Sequence, residues 1–212
     1  MNVTLSIDMR LLMSYNEGQA VIVLFWGKQK VNVVQPIRDK SKIEELKMEL
    51  MKGSYRNYLI FVFGINTGLR IGDILKLKVS DVKGKEYINL KEQKTGKTKR
   101  FLVNNNLRRE LEKYVHGMKL SAYLFVSRKG VNKPIHRIQY YRIMKKAGSN
   151  VGIMGEIGTH TLRKTFGYHH YKENKDVAML QEIYNHSGPS VTLRYIGITQ
   201  DEIDDSYRGF SL

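Results

Sequence analysis

The sequence predicts an α+β protein that is mainly helical and carries a small antiparallel β-sheet. Apolar residues recur at helical spacing through most of the chain, as at Ile43, Leu46 and Leu50. Between residues 85 and 104 the period changes, and the segment is typical of two strands around a turn at Thr95-Gly96. The change of period within a largely helical chain is what predicts this fold class.

The periodic part of the sequence predicts one domain over residues 36–212, preceded by a separate extension, residues 1–35. The extension holds an apolar run, AVIVLFW at 20–26, and has no helical period. The run is too short to span a bilayer, and it lacks the small-residue cleavage site of a signal peptide. We expect it to form a strand, within a pair joined at Gly27-Lys28.

The domain is expected to open with three helices. Ser41 and Glu44 have the spacing of a capping box for the first, which Gly53 ends. Residues 54–68 are apolar nearly all round, which predicts a buried second helix. A third helix is expected over residues 69–82, with its apolar side chains in the core: Leu69, Ile74, Leu75 and Leu77.

After the predicted hairpin, helical spacing returns as far as the C-terminus. Pro134 stands where the first turn of a helix tolerates proline. Ser187-Gly188-Pro189 would end the helix that runs up to residue 186. The helices are therefore expected at 107–118, at 134–148, after a cap at Thr159, at 176–186 and after a capping box at Thr199 and Glu202.

Composition indicates a polyanionic partner. Thirty-six Lys and Arg residues against 20 Asp and Glu give a formal net charge of +16, and the pI is about 9.8. Such a surplus favours DNA, RNA or an anionic membrane as the partner. With 42% hydrophobic residues the chain can build a core, and the absence of cysteine excludes disulfides and thiolate metal sites.

Metal and nucleotide motifs are missing from the sequence. His169 and His170 are adjacent and so point to different faces of a helix, and neither an H-E-x-x-H motif nor a carboxylate cluster accompanies them. There is no G-x-x-x-x-G-K-[ST] loop either. We therefore expect no metal site and no cofactor.

Basic groups instead stand at the predicted ends of helices and strands. His160 and Arg163 lie one helical turn apart, so their side chains point the same way and repel each other when both are charged. An anion between them would explain the pair. Taken singly, each such residue has an ordinary structural interpretation as a surface, capping or core residue. The candidates are Arg70, Lys94, His160, Arg163, His186 and Tyr195.

Four motifs in order resemble the tyrosine recombinase family of the phage-integrase type. The resemblance covers about residues 36–205, and it implies the fold of that family's catalytic domain. The matching segments are NTGLRIGDILKLKVSDV (66–82), KEQKTGKTKRFLV (91–103), GTHTLRKTFGYHHY (158–171) and YNHSGPSVTLRYIGI (184–198).

The resemblance implies a role for each candidate. Arg70 and Arg163 would hold the scissile phosphate, and Tyr195 would be the nucleophile. His160 and His186 match the two histidine positions of the family. The lysine of the hairpin would be Lys94, and we expect it to donate the proton to the leaving oxygen.

These residue types suit phosphodiester chemistry. Guanidinium groups stay charged at cellular pH and hydrogen-bond the non-bridging oxygens, so a metal ion is not needed. A phenol with an ordinary pKa of about 10 needs a base, and His160 is the natural one. The expected activity is site-specific cleavage and rejoining of DNA through a 3′-phosphotyrosyl intermediate, without metal or ATP. The alternatives are a non-catalytic DNA-binding relic and a nicking-closing enzyme similar to type IB topoisomerases.

Further basic residues are expected to supply DNA affinity. They lie in the hairpin, at the start of the helix predicted at 134–148, and beside Arg163. Double-stranded DNA is the expected partner, and a membrane is not. We expect a cytoplasmic protein that is a monomer when free and a homotetramer on DNA, with accessory DNA-bending proteins. The predicted DNA-binding residues are Lys97, Lys99, Arg100, His136, Arg137 and Lys164.

Two departures from the family pattern stand out. The family normally carries a separate helical DNA-clamping domain before the catalytic one, and residues 1–35 are too few to form it. Tyr184 stands where leucine is usual, two residues before His186. The simplest interpretation of Tyr184 is a packing variation.

Overall fold

The computed structural model describes residues 34–92, 96–153, 157–158, 160–198, 207–208 and 210–211, and the backbone alone of the strands within residues 1–33. Contacts divide the chain into two compact units, residues 1–33 and 34–212.

In the first unit, β1 (Arg10–Asn16) and β2 (Gln19–Phe25) pair antiparallel. Two strands were expected here, but the junction at Gly27-Lys28 is wrong. The apolar run forms the second strand of the pair rather than the first, so the pair closes before Gly27.

The second unit begins with α1 (Lys40–Gly53) and α2 (Tyr55–Thr67), which pack on each other. The prediction of a buried α2 is confirmed, because its residues from Leu59 to Phe63 are almost wholly inaccessible to solvent. These two helices form one wall of the main hydrophobic core.

The cap of α1 differs from the predicted capping box of Ser41 and Glu44. Asp39 is the N-cap residue, and its carboxylate accepts from the backbone N–H and the hydroxyl of Ser41, both at 2.7 Å. Glu44 instead pairs with Lys47. An aspartate caps a helix at least as well as a serine, so the helix begins two residues earlier than the predicted capping box would place it.

The expected third helix is two short ones, α3 (Ile71–Ile74) and α4 (Val79–Val82). Between them the backbone carbonyl of Leu77 accepts from Leu124 N–H at 2.7 Å, and Lys78 bridges to Tyr123. The single helix was wrong because this pairing with a distant segment replaces helical hydrogen bonds. The apolar side chains predicted for the core are all buried: Leu69, Ile74, Leu75 and Leu77.

The predicted hairpin is confirmed as β3 (Tyr87–Lys91) and β4 (Thr98–Leu102), which pair antiparallel with Tyr87 opposite Leu102. The inward side chain of Ile88 is wholly buried in the core. Lys94 and Thr95, at the predicted turn, lie outside the described residues.

The C-terminal half is also largely helical. Its helices are α5 (Asn105–Val115), α6 (Arg137–Asn150), α7 (Thr161–Asn174), α8 (Val177–Tyr184) and α9 (Pro189–Ile196). Pro134 lies outside α6, where it bridges to Val126, so its predicted place in the first helical turn is wrong. That pairing holds Pro134 extended, and His136 caps the helix instead. The predicted caps at Thr159, Thr199 and Glu202 lie outside the described residues.

Close packing of α2 against α7 brings the two halves of the domain together. At Gly64 of α2 there is no room for a side chain, because a Cβ there would lie 2.6 Å from Leu162 Cδ1 and 2.9 Å from Leu162 Cβ. A second, smaller apolar cluster of Leu180, Tyr184 and Ile196 joins α8 and α9 beside α7. Among the described helices, none has the length and apolar character needed to cross a membrane.

We expect Gly64→Ala to lower the free energy of unfolding by about 1–3 kcal/mol, because overpacking outweighs the gain in helix propensity. Gly53→Ala is the matched control, since a Cβ there meets only Asn57 Nδ2 at 3.4 Å. That change should be neutral or stabilise by up to about 1 kcal/mol. Urea unfolding of both variants checks the pair, and equal effects would contradict the close approach of α2 and α7.

Candidate active site

The N-terminal end of α7 meets α9 at a histidine–tyrosine contact. His160 is the N-cap residue of α7, and its Nδ1 lies 3.1 Å from the hydroxyl oxygen of Tyr195 on α9. The two residues are 35 positions apart in sequence. The exposed imidazole and the half-buried phenol are therefore within hydrogen-bonding distance before any ligand is bound.

Arg163, in the first turn of α7, is a buried cation with only 2% of its surface exposed. Its Nη1 donates to the carbonyl of Gly68 at 2.6 Å, and its Nη2 donates to the carbonyl of Tyr184 at 3.1 Å. The positive charge of the guanidinium also acts on the phenol of Tyr195, whose pKa it lowers against the larger raising by burial. Burial lowers the pKa of Arg163 from its ordinary value, although the group remains a cation at neutral pH.

The carbonyls that hold Arg163 come from two helix ends. Gly68 ends α2 in the left-handed conformation, with φ 63°, so its carbonyl is not used by the helix. A side chain at Gly68 would also overlap the ring of Phe166 on α7. The αL cap of α2 is thus what aims a backbone acceptor at the buried guanidinium.

Arg70 reaches the same region from the start of α3. Its Nη1 donates to Glu92 Oε1 at 2.8 Å, and the Glu92 side chain is wholly buried. The charge of Glu92 also acts on Arg163, where it raises the pKa against the larger lowering by burial. The charges of Glu92 and Arg70 both act on Arg163, so the two guanidinium groups lie in one region of the molecule.

Lys99 of β4 also belongs to this cluster. Its Nζ donates to the carbonyl of Ile183 at 2.6 Å and lies 3.7 Å from Glu92 Oε1. Burial lowers the pKa of Lys99, an effect that Glu92 opposes. A lysine with a lowered pKa gives up its proton more readily than an exposed one.

His186 follows α8 and closes the site on the side of α9. Its Nδ1 lies 3.1 Å from Thr192 Oγ1, and its ring centroid is 5.0 Å from that of Tyr195. Burial lowers the pKa of His186, and the charges of Arg163, Arg70 and Lys99 lower it further. The imidazole is therefore neutral at pH 7.

Burial also shifts the phenol of Tyr195. It raises the pKa above the ordinary value of 10, while Arg163 and Arg70 act in the opposite direction. The phenol is therefore protonated at neutral pH, and a reaction through its oxygen needs a proton acceptor at that atom. His160 Nδ1 stands at that position.

The structure brings most of the predicted site together. Lys94 lies outside the described residues, so its position remains a prediction. The residues that meet are Arg70, His160, Arg163, His186 and Tyr195.

Sequence reasoning missed Glu92 in the site. It assigned Lys99 to DNA binding, which stays a prediction, and did not foresee its contact with Glu92. Glu92 could have been singled out in the sequence because it is an acidic residue among the basic residues of the hairpin. For Lys99 the period-2 pattern of the strand left open which face it occupies.

The predicted DNA-binding residues lie on several elements of the domain. Lys97 donates to Asn185 Oδ1 at 3.1 Å, and Arg100 stacks over the ring of Tyr87. His136 and Arg137 are exposed at the start of α6. Lys164 is 8% exposed, and its ammonium lies 5.1 Å from the centroid of the Tyr195 ring. Their contact with DNA stays a prediction.

Metal ligands do not gather anywhere in the described part of the chain, where no group of three or more His, Asp or Glu residues could hold an ion. The cationic cluster instead offers hydrogen-bond donors, which suit an oxyanion.

Sequence comparisons identify relatives of this chain. The model of the phage integrase family matches residues 37–202. The chain is 49% identical over 180 residues to the probable integrase/recombinase YoeC of Bacillus subtilis and covers 98% of that protein. It is 26% identical over 170 residues to the tyrosine recombinase XerA of Pyrococcus furiosus, of which it spans 59%.

Solved structures show the same fold. The crystal structure of XerA recombinase matches with a TM-score of 0.67 at 23% identity, over 84% of this chain and 66% of that one. The catalytic domain of bacteriophage HP1 integrase matches with a TM-score of 0.57 at 20% identity, over 83% and 95%. The Tn1549 transposon integrase in complex with transposon right end DNA matches with a TM-score of 0.60 at 16% identity, over 85% and 66%. The predicted fold class is confirmed.

We expect the pKa of His186, followed by NMR titration, to lie below the ordinary value of 6.5. The folded state then binds fewer protons than the unfolded state, so stability falls as the pH drops below about 6.5. Arg70→Gln should raise the pKa of His186, because one cation is removed. Assignment uses His186→Gln, and titration of His186 at or above 6.5 would contradict the cationic surroundings described above.

Proposed function

Because the chain belongs to the phage integrase family, we propose that it is a tyrosine recombinase that cleaves and rejoins DNA strands at specific sites. The observation that carries the proposal is the contact of the Tyr195 phenol with His160 Nδ1, in the field of the buried Arg163 guanidinium, whose charge acts on the same phenol. A nucleophile, a base and a cation for an oxyanion therefore share one site.

The scissile phosphate binds between the arginines in this proposal. The two backbone carbonyls take two of the five N–H groups of Arg163, and others are left to donate to the phosphate. Arg70 exchanges part of its contact with Glu92 for a non-bridging oxygen. As phosphorus is attacked, charge gathers on these oxygens, and fixed guanidinium groups stabilise it without reorganisation.

Tyr195 then attacks phosphorus through its phenolic oxygen, and His160 Nδ1 accepts the phenolic proton. The bond from phosphorus to the 5′ oxygen breaks while the tyrosyl–phosphorus bond forms, which leaves the protein on the 3′ phosphate. His186 contributes an N–H to the phosphate from Nε2 in the tautomer whose Nδ1 accepts from the hydroxyl of Thr192. The lowered pKa of His186 keeps this ring neutral.

The leaving 5′ oxygen needs a proton. Lys94 is the donor implied by its place in the hairpin motif. Lys99 is a second candidate, since burial lowers the pKa of its ammonium and its Nζ lies within the cationic cluster. In either case the lysine becomes neutral as the 5′-hydroxyl forms.

Rejoining is the same chemistry in reverse. A 5′-hydroxyl from another strand attacks the phosphorus of the phosphotyrosyl group and gives its proton to the neutral lysine. The tyrosyl–phosphorus bond breaks, and the proton on His160 returns to the oxygen of Tyr195. The energy of the broken phosphodiester is retained in the covalent bond, so ATP is not consumed. The guanidinium groups supply the charge stabilisation that a metal ion supplies elsewhere.

Duplex DNA is the proposed substrate. The net charge of +16 and the exposed basic residues of β4 and α6 support it, as does the similar Tn1549 integrase in complex with DNA. A homotetramer on DNA, a monomer without it, and accessory DNA-bending proteins are the corresponding proposals for assembly.

We expect wild-type protein to become covalently attached to a duplex with a nick beside the scissile phosphate, because the short 5′ fragment diffuses away. Tyr195→Phe should bind the same duplex and form no attachment, since it lacks the nucleophilic oxygen. Denaturing gel electrophoresis measures attachment, and target duplexes come from the DNA flanking the gene.

The matched control for Tyr195→Phe is Tyr87→Phe, which changes an exposed tyrosine on β3 outside the cluster. Binding of both wild type and Tyr195→Phe without attachment of either would favour the binding relic. Relaxation of supercoiled DNA without exchange between two sites would favour the nicking-closing enzyme.

Arg163→Ala should slow attachment by about 100- to 1,000-fold, the usual effect of removing one oxyanion donor. DNA affinity should change far less, because this is one phosphate contact among many. Arg163→Lys keeps a buried cation in case the alanine variant does not fold, and Arg109→Ala, on the exposed face of α5, is the matched control. An equal loss of binding and attachment would contradict the role of Arg163.

Wild-type protein should also form the attachment in EDTA, because the guanidinium groups stabilise the charge without a metal ion. Attachment that occurs only with added magnesium would contradict the arginine-based mechanism.

A further inference from the structure

We propose that Tyr184 is a positioning residue that fixes the guanidinium of Arg163 and the rings of His186 and Tyr195 for the reaction; this inference rests on the proposed function. Tyr184 is the last residue of α8 and is wholly buried. The sequence alone suggested only a packing variation at this position.

Tyr184 and Arg163 hold each other by three contacts. The guanidinium carbon of Arg163 lies 4.1 Å from the centroid of the Tyr184 ring, which is the geometry of a cation–π interaction. Arg163 Nη2 donates to the backbone carbonyl of Tyr184 at 3.1 Å. In return the Tyr184 hydroxyl donates to the backbone carbonyl of Arg163 at 2.6 Å. Both ends of the arginine are therefore fixed by one residue.

The same ring packs against the other two groups of the site. Its centroid lies 5.2 Å from that of His186 and 5.5 Å from that of Tyr195. The interplanar angle with Tyr195 is 73°, which is an edge-to-face arrangement. A leucine would fill part of this volume, but it has neither an aromatic face for the guanidinium nor a hydroxyl for the Arg163 carbonyl.

The surroundings of Tyr184 are shaped to admit the ring. Gly167, one turn along α7 from Arg163, faces the Tyr184 hydroxyl, and a Cβ there would overlap it and approach Ile196 Cγ2 to 2.6 Å. Phe166 packs on the ring from the other side, at 6.4 Å between centroids. The ring can therefore move little, and neither can the groups that rest on it.

Positioning matters here because attack on phosphorus demands alignment. A displacement of about 1 Å in a reacting group can cost up to about 100-fold in rate. With the ring removed, the guanidinium keeps its carbonyl partners but loses the aromatic face that sets its tilt. The specific expectation is a loss of rate at the phosphate rather than a loss of DNA affinity.

The test uses Tyr184→Leu and Tyr184→Phe on the nicked duplex at saturating DNA. Tyr184→Leu should slow covalent attachment by about 10- to 100-fold. The dissociation constant for DNA should change by less than about threefold, which is less than the tenfold change that about 1.4 kcal/mol of binding free energy produces. Tyr184→Phe retains the aromatic face and should lose no more than about tenfold, the value of one hydrogen bond.

A second substrate separates positioning of Arg163 from general packing. A methylphosphonate at the scissile position replaces one charged oxygen with a neutral methyl group, so the reaction depends less on the guanidinium. The defect of Tyr184→Leu should shrink on this substrate, as that of Arg163→Ala should. An equal defect on both substrates would overturn the inference.

Tyr140→Leu is the matched control for the loss of a buried tyrosine. Tyr140 is 2% exposed on α6, away from the cluster, and its hydroxyl donates to the carbonyl of Asn57 at 3.4 Å. Urea unfolding should show that both leucine variants lose stability, whereas only Tyr184→Leu has a rate defect that depends on the phosphate charge. The same rate pattern in Tyr140→Leu would show that Tyr184 merely fills the core.

If wild-type protein binds DNA but does not become covalently attached to it, the proposed function has failed, and this result is distinct from failure of the inference about Tyr184. In that case NMR of the Arg163 side chain still tests the positioning. Ring current from Tyr184 should shift the Arg163 Nε–H proton upfield in wild type and in Tyr184→Phe, and the shift should vanish in Tyr184→Leu. An unchanged shift in Tyr184→Leu would overturn the inference without reference to activity.

Discussion

The buried guanidinium of Arg163 is the constraint that organises the C-terminal half of this protein. A buried cation is costly unless polar groups surround it. Here two helices end so that their carbonyls face it, that of Gly68 after α2 and that of Tyr184 at the end of α8. Carbonyl oxygens satisfy hydrogen bonds without neutralising the charge. The packing of α2, α7 and α8 thus leaves a fixed positive charge close to the phenol of Tyr195, which is where the proposed mechanism places a phosphate oxygen.

Glu92 sets the charge balance of this region. Its buried carboxylate lies against Arg70 and Lys99 and acts on Arg163 as well. One negative charge among three cations limits their mutual repulsion, yet the cluster keeps a net positive charge. The same cations keep His186 neutral by lowering its pKa. Preorganised charge of this kind stabilises an oxyanion at little cost at the moment of reaction.

Much of this arrangement was accessible from sequence, and the exceptions have physical reasons. The burial of α2 could be predicted from its run of apolar residues, and the candidate residues Arg70, His160 and Tyr195 from the short motifs that hold them. The break between α3 and α4 could not be predicted, since it depends on the pairing of the Leu77 backbone with the distant Leu124. Glu92 and Lys99 reach the site because of the register of the hairpin, and Tyr184 reaches it because α8 packs on α7. No local sequence pattern encodes the register or this packing.

A crystal structure of the Tyr195→Phe variant bound to its target duplex tests the central claim most directly. We expect one phosphodiester to accept hydrogen bonds from Arg70 and Arg163 together, with the ring of residue 195 facing phosphorus opposite the 5′ oxygen. Arg163 should retain its contacts with the Gly68 and Tyr184 carbonyls. A duplex whose phosphates meet only exposed lysines, with none within hydrogen-bonding distance of Arg163, would contradict the claim that this buried cation is held for a phosphate.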